Sequence, residues 1–141
     1  TKTVLSLVIP LYKSEDNLPR LFEEILGLKD RLVGGLEVVF VVDGSPDRCA
    51  EILREKLPDW PVESQLLTLS RNFGSFSAIA AGLEAGRGQH FAVLAADLQE
   101  PPELVVEFAR ILQSNAADVC FEKSTAAPDR CNAPEIFRIR K

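Results

Sequence analysis

The 141 residues, 46% hydrophobic and 26% charged, have the composition of one soluble globular domain with a core of its own. Sixteen Lys and Arg against 21 Asp and Glu leave a net charge of −5 with no basic run, which excludes an ordinary nucleic-acid binder. One histidine, His90, and three widely spaced cysteines, Cys49, Cys120 and Cys131, exclude a multi-histidine site and argue against a zinc centre or disulfide framework, while no run of ~18 apolar residues is present to span a membrane.

Short apolar runs alternate with longer amphipathic ones. Val4–Ile9 reads as a first strand, stopped by Pro10. Ser14–Leu28 reads as a helix with Leu18, Leu21, Phe22, Ile25 and Leu26 on one stripe. Leu36–Val42 is almost wholly apolar, and Ser45 is placed to cap a helix over Asp47–Leu57. Leu66–Leu69 is a third strand. Ser75 or Ser77 caps a helix over Ala78–Ala85. Phe91–Ala96 is a fourth strand, which His90 opens. Pro101 and Pro102 begin a helix running to about Gln113 with Leu104, Val105, Phe108, Ile111 and Leu112 inward, and Asp118–Phe121 is a weak fifth strand. Continuous apolar strands alternating with helices predict an α/β fold: an open, mostly parallel sheet with helices on both faces.

In such a sheet, ligands bind at the carboxyl ends of strands. Those ends read Pro10-Leu11-Tyr12, Asp43-Gly44-Ser45, Ser70-Arg71-Asn72-Phe73-Gly74 and Asp97-Leu98-Gln99-Glu100. Asp97 with Gln99 and Glu100 forms an oxygen-only set that suits Mg²⁺ or Mn²⁺; its alternative reading is a cap for the following helix. Asp43 is either the start of a turn and helix cap or an acceptor for the N–H groups of a nucleotide base. Tyr12 either stacks on a base or packs under a loop. Arg71 either pairs with phosphate or lies in a surface ion pair. Gly82, Gly86 and Gly88 do not form a dinucleotide fingerprint.

Four ordered segments, SLVIPLYKSEDNLP (6–19), EVVFVVDGSPDR (37–48), LSRNFGSFSAIAAGLEAGRG (69–88) and FAVLAADLQEPPEL (91–104), together resemble a family-2 inverting glycosyltransferase. The similarity is to the branch of dolichol-phosphate mannose synthases and bacterial polyprenyl-phosphate glucosyltransferases. It implies a Rossmann-like GT-A nucleotide-sugar-binding domain over 1–122, truncated before the acceptor half, with an atypical tail over 123–141. By matching residues it implies that Pro10, Tyr12, Asp43, Arg71 and Ala96 bind the nucleotide. It further implies that Asp97, the last acid of the DxD-type motif, is the catalytic residue and, with Gln99, holds Mg²⁺ or Mn²⁺. The donor implied is UDP-glucose or GDP-mannose, and the acceptor a polyprenyl phosphate. The location implied is cytoplasmic, with full-length relatives at the cytoplasmic face of a membrane. Two acids of the pattern are absent, replaced by Val42 and Ala95, and Lys13 stands where asparagine is common. An end before the acceptor half predicts exposed apolar surface and self-association. Two alternatives stand beside this reading: an inactive nucleotide-binding fragment, and a Mg²⁺-binding flavodoxin-like or response-regulator domain.

Overall fold

The protein is described from a computed structural model covering residues 3–32, 34–98, 102–114, 119–121 and 135–137, the last two segments as backbone only. Gln99, Glu100, Pro101 and Cys131 lie outside the described residues. Strands β1 (Thr3–Leu11), β2 (Gly35–Val42), β3 (Glu63–Thr68) and β4 (His90–Val93) form one parallel sheet in the order β3-β2-β1-β4. Helices α1 (Leu18–Arg31), α2 (Cys49–Lys56) and α3 (Ser75–Ala85) make the crossovers, and α4 (Glu103–Gln113) follows β4. Two further strands, β5 (Val119–Phe121) and β6 (Glu135–Phe137), pair antiparallel in a separate two-stranded sheet. The expected weak fifth strand therefore exists, but it pairs with a segment of the tail and not with the main sheet.

Alternation along the central strands sorts side chains between two layers. Leu5, Leu7, Ile9 and Leu11 of β1 and Val38, Phe40 and Val42 of β2 face α1, α2 and α4. There Leu18, Leu21, Phe22, Ile25 and Leu28 supply the stripe of α1. Leu26, expected inward, is instead 40% exposed, because it falls at the edge of that stripe. Phe22 meets Phe40 and Trp60 edge-on and those two rings are tilted to each other, with centroids 5.3–6.0 Å apart throughout. Burial, with Asp47 beside it, pushes the Cys49 thiol up to about 11, so it packs in this layer as a neutral group. On the opposite face Val8, Val39 and Val41 pack against Ala78 of α3. A Cβ at Gly82 would stand 2.4 Å from Val8 Cγ1, so glycine is what lets α3 lie this close to the sheet.

Several boundaries differ from the sequence expectation. Pro10 does not stop β1; it pairs in register with Val41, and the strand ends at Leu11. Strand β3 begins at Glu63, through the polar residues Ser64 and Gln65. Strand β4 ends at Val93, although Leu94 N–H still donates to Val8 O at 3.0 Å. Helix α2 begins at Cys49, two residues later than expected, because Ser45 is engaged elsewhere. Helix α3 begins at Ser75 behind Gly74, whose φ is 99°. Helix α4 buries Val105, Ala109 and Leu112, leaving Leu104 and Phe108 only half-buried.

One buried charge ties the amino ends of the strands together. Glu37 in β2 is 1% exposed. Its carboxylate accepts hydrogen bonds from Ser6 Oγ at 2.7 Å, Gln65 Nε2 at 2.6 Å and the Arg87 backbone N–H at 2.9 Å. Gly88 N–H donates in turn to Ser6 Oγ at 2.8 Å. Burial opposes the charge on Glu37, but these donors and the Arg87 guanidinium outweigh it and hold the pKa below the usual carboxylate value.

Candidate functional site

The chain steps outward from β1 to β2 to β3, then crosses back to place β4 on the other side of β1. The strand order reverses there, and the diverging loops leave a crevice at the carboxyl ends. A cavity of about 520 Å³ occupies that place. The exit of β1 lines it from Pro10 to Ser14, β2 contributes Asp43, the β3–α3 loop contributes Asn72, Gly74 and Ser75, and the turn after β4 contributes Ala95, Ala96 and Asp97.

Asp43 forms the floor. It is 3% exposed, and its N–H donates to Leu11 O at 2.9 Å, which extends the β1–β2 ladder. Its Oδ1 accepts the Phe73 N–H at 2.8 Å, and its Oδ2 accepts the Gly74 N–H at 3.0 Å and Asn72 Nδ2 at 3.3 Å. The Asn72 amide also reaches the Asp43 carbonyl at 3.1 Å. Asp43 thus anchors the loop that opens α3. The next residue must be glycine: Gly44 has φ +60°, and a Cβ there would lie 2.2 Å from the carbonyl carbon of Arg71.

A second acid joins the β1 and β2 exits. Asp47 accepts the Ser45 hydroxyl, the Cys49 N–H at 3.2 Å and the Glu15 N–H at 3.1 Å. Ser45 Oγ accepts the Lys13 N–H at 2.8 Å. Ser45 is therefore a cross-link between loops and not the expected helix cap. Burial again works against the Asp47 charge, and hydrogen bonds from Ser45, Cys49 and Glu15 lower its pKa regardless.

The expected site residues separate into groups. Pro10, Tyr12, Asp43, Ala96 and Asp97 all line the one cavity, with Tyr12 46% exposed at its mouth. Arg71 does not line it; its guanidinium stacks 4.5 Å from the Phe73 ring centroid and is in none of the ion pairs found among the described residues. Gln99 lies outside the described residues. Asp97 sits four residues past the end of β4, in an exposed turn with Leu98 at φ 56°. Asn72, Ser75 and Lys13 also line the cavity without having been singled out as site residues. The quoted RNFGS and LYKS segments contain them, but their positions depend on loop geometry that no periodicity reports.

A hard divalent cation needs oxygen donors and tolerates waters and phosphates in most of its positions. Asp97 offers one such carboxylate on the cavity wall, while Ala95 and Ala96 beside it offer no side-chain donor. Among the described residues no group of three or more His, Cys, Asp and Glu is placed to hold a metal. The donor set therefore fits a cation held by a single carboxylate and completed by ligand oxygens. No helix among the described residues is long and apolar enough to cross a membrane.

Residues 6–130 match glycosyl transferase family 2. The undecaprenyl-phosphate 4-deoxy-4-formamido-L-arabinose transferase of Pectobacterium carotovorum is 37% identical over 129 residues, which are 84% of this chain and 39% of that protein. The chain spans about two-fifths of the length of the curated relatives it matches. Among solved structures, S. aureus TarS in complex with UDP superposes with a TM-score of 0.61 at 20% identity, over 92% of this chain and 38% of that one. The mannosyltransferase PcManGT of Pyrobaculum calidifontis, in complex with GDP-Man and Mn²⁺, superposes with a TM-score of 0.60 at 19% identity, over 79% of this chain and 33% of that one. The shared fold is the GT-A fold. With a family match running from the middle of β1 past β5, the chain belongs to glycosyl transferase family 2.

Proposed function

We propose that this chain is the nucleotide-sugar-binding part of an inverting hexosyltransferase that uses a polyprenyl phosphate as acceptor. The observation that carries the reading is one cavity at the sheet's switch point that gathers Pro10, Tyr12, Asp43 and Asp97. The names of the relatives support the acceptor class, and the nucleotides held by the structural neighbours support the donor class. UDP-glucose and GDP-mannose both fit that class.

Tyr12, exposed at the cavity mouth, offers a flat ring on which a base stacks. Asp43 shapes the opposing loop and turns its remaining acceptor capacity toward the base. Asp97 would hold Mg²⁺ or Mn²⁺, which when bound offsets charge on the departing diphosphate. A phosphomonoester acceptor is mostly ionised at pH 7, since its second pKa is about 6, so attack on the anomeric carbon needs little help from a general base. Holding acceptor and donor in line is the larger requirement, and we assign it to parts of the full-length enzyme that the relatives' additional length represents. In a cell this places the reaction at the cytoplasmic face of a membrane that carries the lipid.

The test is titration calorimetry with UDP and GDP, with and without Mn²⁺. Asp97→Asn is expected to remove most of the Mn²⁺-dependent gain in affinity. Equal affinity of wild type and variant in Mn²⁺ would reject Asp97 as the metal ligand.

A further inference from the structure

The geometry points to Lys13 as a binding residue for the diphosphate of the nucleotide, a role that rests on the nucleotide-binding reading above. The charge inventory of the cavity carries the argument. Its charged lining side chains are Lys13, Asp43 and Asp97, so Lys13 is the single cation among the described lining residues. A nucleoside diphosphate brings about three negative charges at neutral pH, its terminal phosphate having a last pKa near 6. It enters a cavity that already holds two carboxylates, in a chain of net charge −5. Asp43 is offset by the N–H groups it accepts, and Ala95 leaves Asp97 as the one carboxylate that the turn after β4 contributes to the wall. Some of the anion's charge must then be met by the protein directly, and Lys13 is the side chain placed to meet it.

The backbone supports the same assignment. Lys13 has φ 51°, a left-handed conformation that a long side chain rarely adopts. It is held there by its N–H donating to Ser45 Oγ at 2.8 Å, and Ser45 is fixed in turn by Asp47. The Lys13 ammonium rests 5.4 Å from the Tyr12 ring centroid, at the cavity mouth, and takes part in none of the ion pairs found among the described residues. Non-glycine residues in this conformation concentrate at ligand sites, where the surrounding structure enforces them. The cation therefore stands beside the base-stacking ring with its charge available to a ligand.

The experiment compares wild type, Lys13→Gln and Lys13→Arg by calorimetry, each with UDP, GDP, uridine and guanosine, in EDTA and in Mn²⁺. Thermal melts establish that all three proteins are folded. The expected result is a diphosphate affinity at least tenfold lower for Lys13→Gln in EDTA, largely restored in Lys13→Arg, with nucleoside affinity unchanged. Diphosphate affinity unaltered in Lys13→Gln would overturn the assignment, as would an equal loss for nucleoside and diphosphate. If wild type binds none of the four in either buffer, the nucleotide-binding reading itself fails, and that outcome is distinct from both.

Discussion

The two faces of the four-stranded sheet are covered very differently. One is closed by α1, α2 and α4, with Phe40, Leu7, Ile9 and Leu11 fully buried beneath them. Among the described residues the other is covered by α3, lying over β1 and β2. In β4, Phe91 and Val93 share this second face with Ser6 and Val8, yet they are 37% and 42% exposed. On α3 itself, Leu83 and Phe76 are 41% and 89% exposed. An apolar strand run thus has two outcomes within one sheet: β2 is sealed on both sides and β4 on one. Both crevice walls nonetheless rise from the carboxyl ends of these strands, so the well-covered strands β1 and β2 fix Tyr12 and Asp43, while the half-covered β4 leads to Asp97.

The largest expected effect comes from breaking the closed face. Phe40→Ala removes the ring that Phe22 and Trp60 both pack against and should cost about 3–5 kcal/mol in urea unfolding. Next is the polar tie at the strands' amino ends. Glu37→Gln replaces an acceptor of three hydrogen bonds with an amide whose NH₂ faces other donors, and should cost about 3 kcal/mol. The wild-type pKa is lowered, so the stabilisation by Glu37 is fully present above its ordinary value of 4.5 and is lost as pH falls through the native value. The gap between wild type and Glu37→Gln should therefore narrow in melts taken below about pH 4. If the gap is constant from pH 7 to pH 3, the Glu37 charge is not what stabilises the network.

The α3 face should answer to shape more than to charge. Gly82→Ala drives a methyl into Val8 and should destabilise by about 1–3 kcal/mol, a penalty that Val8→Ala in the same chain partly relieves. The smallest effect is expected on the uncovered part. The double change Phe91→Thr and Val93→Thr, at side chains still more than half covered, should cost about 1 kcal/mol, while sedimentation shows less self-association than wild type. A loss of several kcal/mol would mean that this face is covered after all.

This contrast also explains what the sequence revealed. Strands β1 and β2 were legible because burial on both faces makes them continuously apolar. The start of β3 was not, because Glu63, Ser64 and Gln65 are tolerated on an edge strand where Gln65 serves Glu37. The last residues of the FAVLAA run were read as strand, yet only Leu94 keeps a ladder bond beyond Val93. In the site, Tyr12, Asp43 and Asp97 were legible as polar or aromatic residues closing apolar runs and Pro10 from the family resemblance, and the four line one cavity. The anchoring of the Asn72–Gly74 loop by Asp43 was not, because it is made by backbone N–H groups 30 residues away in sequence. Nor was the left-handed conformation of Lys13, which depends on a bond from a different loop.

On the function proposed above, the crevice between the carboxyl ends of β1, β2 and β4 is a nucleoside-diphosphate site. The most direct measurement is ¹H–¹⁵N correlation spectroscopy of the ¹⁵N-labelled chain during titration with UDP or GDP in the presence of Mg²⁺. Saturable shifts are expected at Tyr12, Lys13, Asp43, Asn72 to Ser75 and Ala95 to Asp97, with Glu37, Ser64 and Arg87 at the opposite end of the sheet unmoved. Saturable shifts centred on Glu37 and Arg87, or none with either nucleotide at millimolar concentration, would contradict it.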